Sequence, residues 1–155
     1  LAEACASLQS QALIALDVET TLDTQALCLV QLAWPGGTYV IDALEVADLD
    51  PLASLLADRS VEKLIHHADF ERRVLSQHDI TINNVTDTLT LSRSKHGKDT
   101  RAGHSLAAVC VRELKEDLDK AEQTSNWRHR PLTDSQLTYA ALDAEVLLRL
   151  IPHLR

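Results

Sequence analysis

The chain reads as an α/β fold, a mixed sheet with helices on both faces, and three observations predict it. Three apolar, strand-like runs follow one another near the start, separated by short turn-rich links. Strand and helix patterns then alternate. A long helical pattern with a clear start signal closes the chain. Strands in a meander followed by strand–helix alternation combine antiparallel and parallel pairing in one sheet.

Each element has its own reason. Leu1, Ala4, Cys5 and Leu8 recur at helical spacing, so residues 1–9 begin as a helix. Ala12-Leu-Ile-Ala-Leu-Asp-Val-Glu19 is an apolar strand ending acid, any residue, acid. Leu27-Cys-Leu-Val-Gln-Leu-Ala-Trp34 is a second strand, and Pro35-Gly36-Gly37 signals the turn that brings Thr38–Ile41 back as a hairpin. Asp50-Pro51 opens a helix to about Ala57, with Asp50 as cap and Pro51 in the first helical position, where a missing N–H is tolerated. Lys63–His66 is a fourth strand, followed by a helix from Ala68 to Gln77. A short strand over 84–86 leads to a helix at 88–94 that Asp87 caps, and Gly103-His-Ser starts another helix ending at Leu114. Thr133 caps the last helix, and Gln136 completes a capping box.

Composition bounds the function. At 155 residues the chain is expected to form one domain, 1–155, around one core. An apolar share of 45% is ordinary, and no apolar run reaches the ~20 residues that span a bilayer. No secretory leader is expected, since no charged start precedes an apolar stretch and a cleavage site. The abrupt start at Leu1 leaves open a domain taken from a longer protein. Cys5, Cys28 and Cys110 are odd in number, far apart and set among apolar residues, which predicts buried reduced thiols and a cytoplasmic protein. A net charge of −8 argues against tight, long-footprint nucleic-acid binding. It leaves room for a short strand end held at metal ions, because acids at such a site are neutralised when ions bind. The positive charge is also grouped, with Arg93, Lys95, Lys98 and Arg101 within nine residues and Arg128 and Arg130 flanking His129. A solvated loop explains such a group as well as a phosphate-binding one does.

The acids form the sharpest pattern. Side chains two apart on a strand share a face, so Asp17 and Glu19 point to one side of the sheet. Tyr139 and Asp143, four apart, lie one above the other on the last helix. With Tyr139 at zero and ~100° per residue, Asp143 falls at about 40°, Val146 at about −20° and Leu150 at about 20°. Both polar residues therefore lie on the inward face. Carboxylates held close resist ionising together. Divalent ions with a preference for hard oxygen ligands, Mg²⁺ or Mn²⁺, relieve that repulsion.

Asp17-Val-Glu19, an acid near residue 70, and Tyr139-x-x-x-Asp143 together resemble the three motifs of the DEDDy 3′–5′ exonucleases. Leu118-Asp-Lys-Ala-Glu-Gln-Thr-Ser-Asn-Trp-Arg-His-Arg-Pro-Leu-Thr133 resembles the stretch before the third motif in the ribonuclease D-like branch. The resemblance runs from about residue 12 to 150. A lone Asp-x-Glu occurs by chance, whereas three motifs in order with the linking segment are specific. The resemblance implies a ribonuclease H-like fold and hydrolysis of phosphodiester bonds from the 3′ end of single-stranded RNA or DNA, with RNA favoured. It also implies two divalent metal ions held by Asp17, Glu19, Asp143 and the acid of the second motif, with Tyr139 orienting the attacking water. Thr20, Lys95, Lys98, Arg101 and Trp127 are the candidate nucleic-acid contacts. Trp127 could be a stacking platform for a base, but it reads more readily as a packed anchor of the 115–133 connection.

The second motif departs from the family. Where relatives carry Asp, His66-His-Ala-Asp-Phe-Glu71 offers two acids. Aligning His66, or Ala68 with Phe70, puts Glu71 at the acid position. Helical phase agrees: with Phe70 at zero the apolar face centres near ~60°, Glu71 lies at about 100° and Asp69 at about −100°. Glu71 is the acid this reading adopts, and Asp69 is its alternative. His67 stands at the family's Asn position. His66 and His67 are expected to support the site rather than bind metal, and His96, His104 and His129 to lie on the surface. A non-catalytic member that binds nucleic acid or a protein is the competing reading. It usually implies a lost acid, and each motif here keeps one.

Overall fold

Five strands pair into one sheet in the computed structural model, which describes residues 1–155: β1 (Leu13–Thr20), β2 (Leu27–Trp34), β3 (Gly37–Asp42), β4 (Glu62–Ile65) and β5 (Val85–Asp87). Their spatial order is β3-β2-β1-β4-β5. The meander gives antiparallel β1–β2 and β2–β3 pairs, and the later alternation gives parallel β1–β4 and β4–β5 pairs. Six helices cover the two faces: α1 (Ala2–Leu8), α2 (Asp50–Ala57), α3 (Ala68–Ser76), α4 (Thr88–His96), α5 (Leu106–Leu114) and α6 (Asp134–Leu154). This is the mixed α/β sheet with helices on both faces that the sequence predicts.

β1 is the central strand, and its alternation divides the core. Ile14, Leu16 and Val18 pack with Val30 and Leu32 of β2 against α1, α2 and α3, through Leu8, Leu55 and Val74. Ala15, Ala33 and Leu64 face the other way, against Val109 of α5 and Ala144, Leu147 and Leu150 of α6. The small side chains of Ala15 and Ala33 let α6 lie close over the sheet. Burying each of these leucines or valines contributes about 1.5–3 kcal/mol. The same alternation that buries Ala15 turns Asp17 and Glu19 toward α6. The β1–β2 register shifts between Glu19 and Thr20, a bulge that ends regular pairing beside the acids.

Several boundaries differ from expectation. The N-cap of α2 is Leu49, and Asp50 is already helical with no side-chain cap; its own N–H is taken by Asp48 Oδ1 at 2.8 Å. α5 begins at Leu106, because Gly103 is left-handed at φ +72° and cannot start the helix; Ser105 caps it, accepting from Ala108 N. β4 starts at Glu62, one residue early, and His66 lies beyond it. The two-residue turn Pro35-Gly36 joins β2 to β3, and a Cβ at Gly36 would collide with the Trp34 ring. The Thr133–Gln136 capping box forms as expected. All three cysteines are buried and free. No helix is long and apolar enough to cross a membrane.

Candidate active site

The acids converge over the carboxyl ends of β1 and β4. Asp17 and Glu19 come from β1, and Asp143 comes from α6 across the face they share. One ligand oxygen from each lies within 4.8 Å of the others. Glu71 arrives from α3 in the opposite layer; it is 3% exposed, and its Oε2 has no hydrogen-bond partner. Asp69 points to solvent, its side chain 88% exposed and 3.9 Å from Arg72. Helical phase thus describes both side chains, and it is Glu71 that lines the cleft.

Burial and mutual repulsion act together on these groups. Burial first, then the charge of Asp143, raises Asp17 well above the usual carboxylate range. Glu19 rises likewise, by burial first and then by the charges of Asp17 and Asp143. Glu71 is pushed up to about 9, by burial and then by Asp17. Asp143 reaches only about 6, because the Tyr139 hydroxyl one turn earlier opposes the effect of burial. Tyr139 itself is raised by burial and by Asp143, so its hydroxyl keeps its proton. Asp17, Glu19 and Asp143, hard oxygen donors held this close, fit a divalent cation; Glu71 stands outside that group of three, with an unpartnered oxygen in the same cleft.

The acids border a cavity of about 650 Å³ whose far wall is formed by α4 and the start of α5. There His66 Nε2 faces the His104 carbonyl at 3.0 Å, so it donates, and Nδ1 is left to accept from Thr88 Oγ1 at 2.9 Å. Burial lowers His66 to about 4, which keeps it neutral. Both nitrogens are used, so His66 is no metal ligand. His67 is the left-handed N-cap of α3 at φ +72°; its backbone N–H donates to Asp87 Oδ1. Asp87 Oδ2 takes the next N–H, from Ala68, and Oδ1 also takes that of Leu89, so one carboxylate caps the starts of α3 and α4.

Other expected contacts are redistributed in space. His104 is buried at 8% exposure, where a surface position was expected: Nε2 donates to the Gly97 carbonyl at 2.9 Å, and Nδ1 accepts from Ser92 Oγ. Arg112 completes that chain by donating to Ser92 Oγ at 2.6 Å. His96 is half-buried against Glu113 at 2.5 Å, and His129 is exposed. Lys98 lines the cavity, as does Arg93. Lys95 does not: its ammonium donates to Glu113 at 3.1 Å and to the His153 carbonyl. Arg101 also lies outside the lining. Arg130 makes a two-pronged contact with Asp42 at 2.6 Å, tying the 115–133 connection to the end of β3. Trp127 is 1% exposed, packed with Cys28, Leu29 and Ala140 and 6.0 Å from the Tyr139 ring. This burial suits the anchor, and Trp127 also lines the cavity beside Thr20. Thr20 borders an adjoining cavity of about 330 Å³ together with Leu22, Phe70 and Gln123. Gln123 borders both cavities and was not foreseen, since a polar residue on an aperiodic segment carries no pattern.

A mixed sheet that gathers acids in this way is suited to holding a divalent cation. The chain belongs to the 3′–5′ exonuclease family, whose model matches residues 1–155. It is 35% identical over its full length to DNA polymerase I of Aquifex aeolicus, spanning 26% of that protein. Ribonuclease D of Haemophilus influenzae is 34% identical over 97% of the chain, which spans 38% of it. The crystal structure of Escherichia coli RNase D, described as an exoribonuclease involved in structured RNA processing, superposes with a TM-score of 0.87 at 28% identity. That match covers 99% of this chain and 41% of that one. Brucella melitensis NrnC with bound Mg²⁺ superposes at 0.80 and 28% identity, over 94% of this chain and 73% of that one. The chain therefore spans well under half the length of these two curated relatives.

Proposed function

We propose that residues 1–155 act as one metal-dependent exonuclease domain that removes 5′-mononucleotides from the 3′ end of single-stranded nucleic acid, with RNA the favoured substrate. The observation that carries this is the convergence of Asp17, Glu19 and Asp143 within 4.8 Å, beside the buried and unpartnered Glu71 Oε2. Asp17, Glu19, Glu71 and Asp143 would hold two divalent ions, Mg²⁺ or Mn²⁺. Bound there, such ions supply an activated water, neutralise the phosphate and stabilise the leaving oxygen.

The chain's own groups do the rest. Tyr139 keeps its proton, so it orients the attacking water by hydrogen bond and does not remove a proton from it. Arg93 and Lys98 across the cavity offer positive charge to the phosphates that follow the scissile one. Thr20 borders the adjoining cavity, where the terminal nucleotide would sit. Glu71 in place of Asp adds one methylene, so its carboxylate reaches the site from α3 with more freedom. Three free buried thiols suit a reducing compartment such as the cytoplasm. The ribonuclease D relatives and the segment before the third motif support RNA, while the polymerase relative keeps DNA as the comparison substrate.

The test is a digest of end-labelled RNA and DNA oligonucleotides with Mg²⁺ and with Mn²⁺. The expected result is stepwise shortening from the 3′ end, faster on RNA, abolished by chelation and by Asp17→Ala. Cleavage that persists in Asp17→Ala, or no cleavage with either ion, overturns the proposal.

A further inference from the structure

Gln31 sits in the middle of β2, wholly excluded from solvent and flanked along the strand by Val30 and Leu32. Neither its Nε2 nor its Oε1 has a hydrogen-bond partner. Buried side-chain amides without partners are rare, since an apolar residue of the same shape would be more stable there. The one other buried side-chain atom in this condition is Glu71 Oε2. Asp17 is the charge that acts most strongly on Glu71. The β1–β2 register sets Gln31 directly opposite Asp17. Directly paired residues on antiparallel strands project to one face, with Cβ atoms about 4.5–5.5 Å apart, so the Gln31 side chain leaves the sheet next to that of Asp17, within reach of its carboxylate. Along β2 it lies between Leu29, which packs with Ala140 of α6, and Ala33, which packs in the cluster with Ala144. The lid of α6 leaves it no route to solvent.

We infer that Gln31 is a positioning residue for Asp17: its Nε2 donates to the carboxylate oxygen of Asp17 when that acid turns to hold a divalent cation, and so fixes the carboxylate's orientation. The inference rests on the metal-site reading above. In the protein without metal the amide is a liability, and with metal it is a partner.

Gln31→Met keeps length and removes both polar atoms. The metal-free variant is expected to melt no lower than the unmutated protein, because two orphaned atoms disappear. Its Mn²⁺ dissociation constant, read by calorimetric titration, is expected to rise about 10-fold, the lower end of what loss of a ligand's supporting partner costs. Its kcat falls while KM for the oligonucleotide holds. A purely structural amide predicts the reverse, a lower melting temperature with Mn²⁺ affinity unchanged, and that result overturns the inference. Should Gln31→Met not fold, the side-chain amide resonance of Gln31 in the unmutated protein is followed during a Mg²⁺ titration. A shift that saturates with metal binding supports the role, and a resonance that stays put overturns it. An unmutated protein that binds no Mn²⁺ overturns the proposed function and this role with it. Tight binding by the unmutated protein and equal binding by the variant overturn the role of Gln31 alone.

Discussion

Along one wall of the cleft Asp17, Glu19, Asp143 and Glu71 stand without a salt-bridge partner, their charged forms opposed by burial and by one another. Along the other wall His66, Thr88, His104, Ser92, Arg112 and Glu113 run as a chain in which each donor meets an acceptor. The second wall is complete from the polypeptide alone. The first needs something from outside. Rigidity and chemistry are thus divided between the walls, and the stable wall holds the Gly97–Ser105 segment against which the acids face.

The comparison breaks most sharply at Asp17. Asp17→Asn is expected to cut the rate by more than about 100-fold, beyond the loss of a supporting partner. Without metal the same variant should melt higher, by a few degrees, roughly what 1 kcal/mol gives a domain of this size. It should also lose most of the Mn²⁺-induced rise in melting temperature. A variant that melts lower and cleaves normally would show that the acids are ordinary structural groups.

Next comes the second motif. Glu71→Gln keeps the shape and removes the charge, and should slow cleavage at least ~10-fold if Glu71 steadies a metal. Asp69→Asn should leave the rate within about twofold, as expected for a solvated group. Glu71→Asp restores the residue usual in the family, and a retained or increased rate is expected. If Asp69→Asn is the inactive variant, the site belongs to Asp69.

Titration separates the walls by sign. Glu71 sits at about 9 and Asp143 at about 6 in the folded chain, against ordinary values near ~4 in the unfolded one. Folded-state values raised in this way mean that the native state binds more protons between those limits. The stability they contribute is full below about pH 4 and is lost as pH rises toward 9. Thermal melts of the metal-free protein should therefore fall across that window, with the upper part flattened by Glu71→Gln and the whole trend reduced by millimolar Mn²⁺. A melting temperature that climbs with pH would refute the sign.

The smallest effect on metal binding is expected on the paired wall. His104→Ala takes the acceptor from the Ser92 hydroxyl proton and the donor from the Gly97 carbonyl, while Arg112 still donates to Ser92 Oγ; the cost is about 1–3 kcal/mol for a buried group left unpaired. The loss should be the same with and without Mn²⁺, in contrast to every acid variant. A metal-dependent loss would merge the two walls into one unit.

What the sequence shows of this site is what local geometry decides. Period two alone turns Asp17 and Glu19 to one face, and helical phase alone turns Tyr139 and Asp143 inward and separates Glu71 from Asp69. Docking decides the rest. Lys95, Lys98 and Arg101 read as one basic group, yet Lys98 borders the cleft while Lys95 is claimed by Glu113, a partner set by how α4 packs against α5. His104 and Trp127 lie on aperiodic segments, so burial comes from partners that no spacing announces. Asp50 has the composition of a cap, but Leu49 takes that place because Asp48 satisfies the Asp50 N–H first. Gln31 reads as a polar exception in an apolar strand. Its meaning depends on a register with β1 that only the folded hairpin defines.

Asp87 offers a last consequence. Its two oxygens hold the first N–H groups of α3 and α4, so the helix that carries Glu71 and the helix that carries Arg93 hang from a single carboxylate. The starts of the two helices are thus held relative to each other by one side chain, in addition to their packing on the core. Hydrogen exchange at Ala68 and Leu89 should report a common opening free energy, which Asp87→Asn would lower at both amides together.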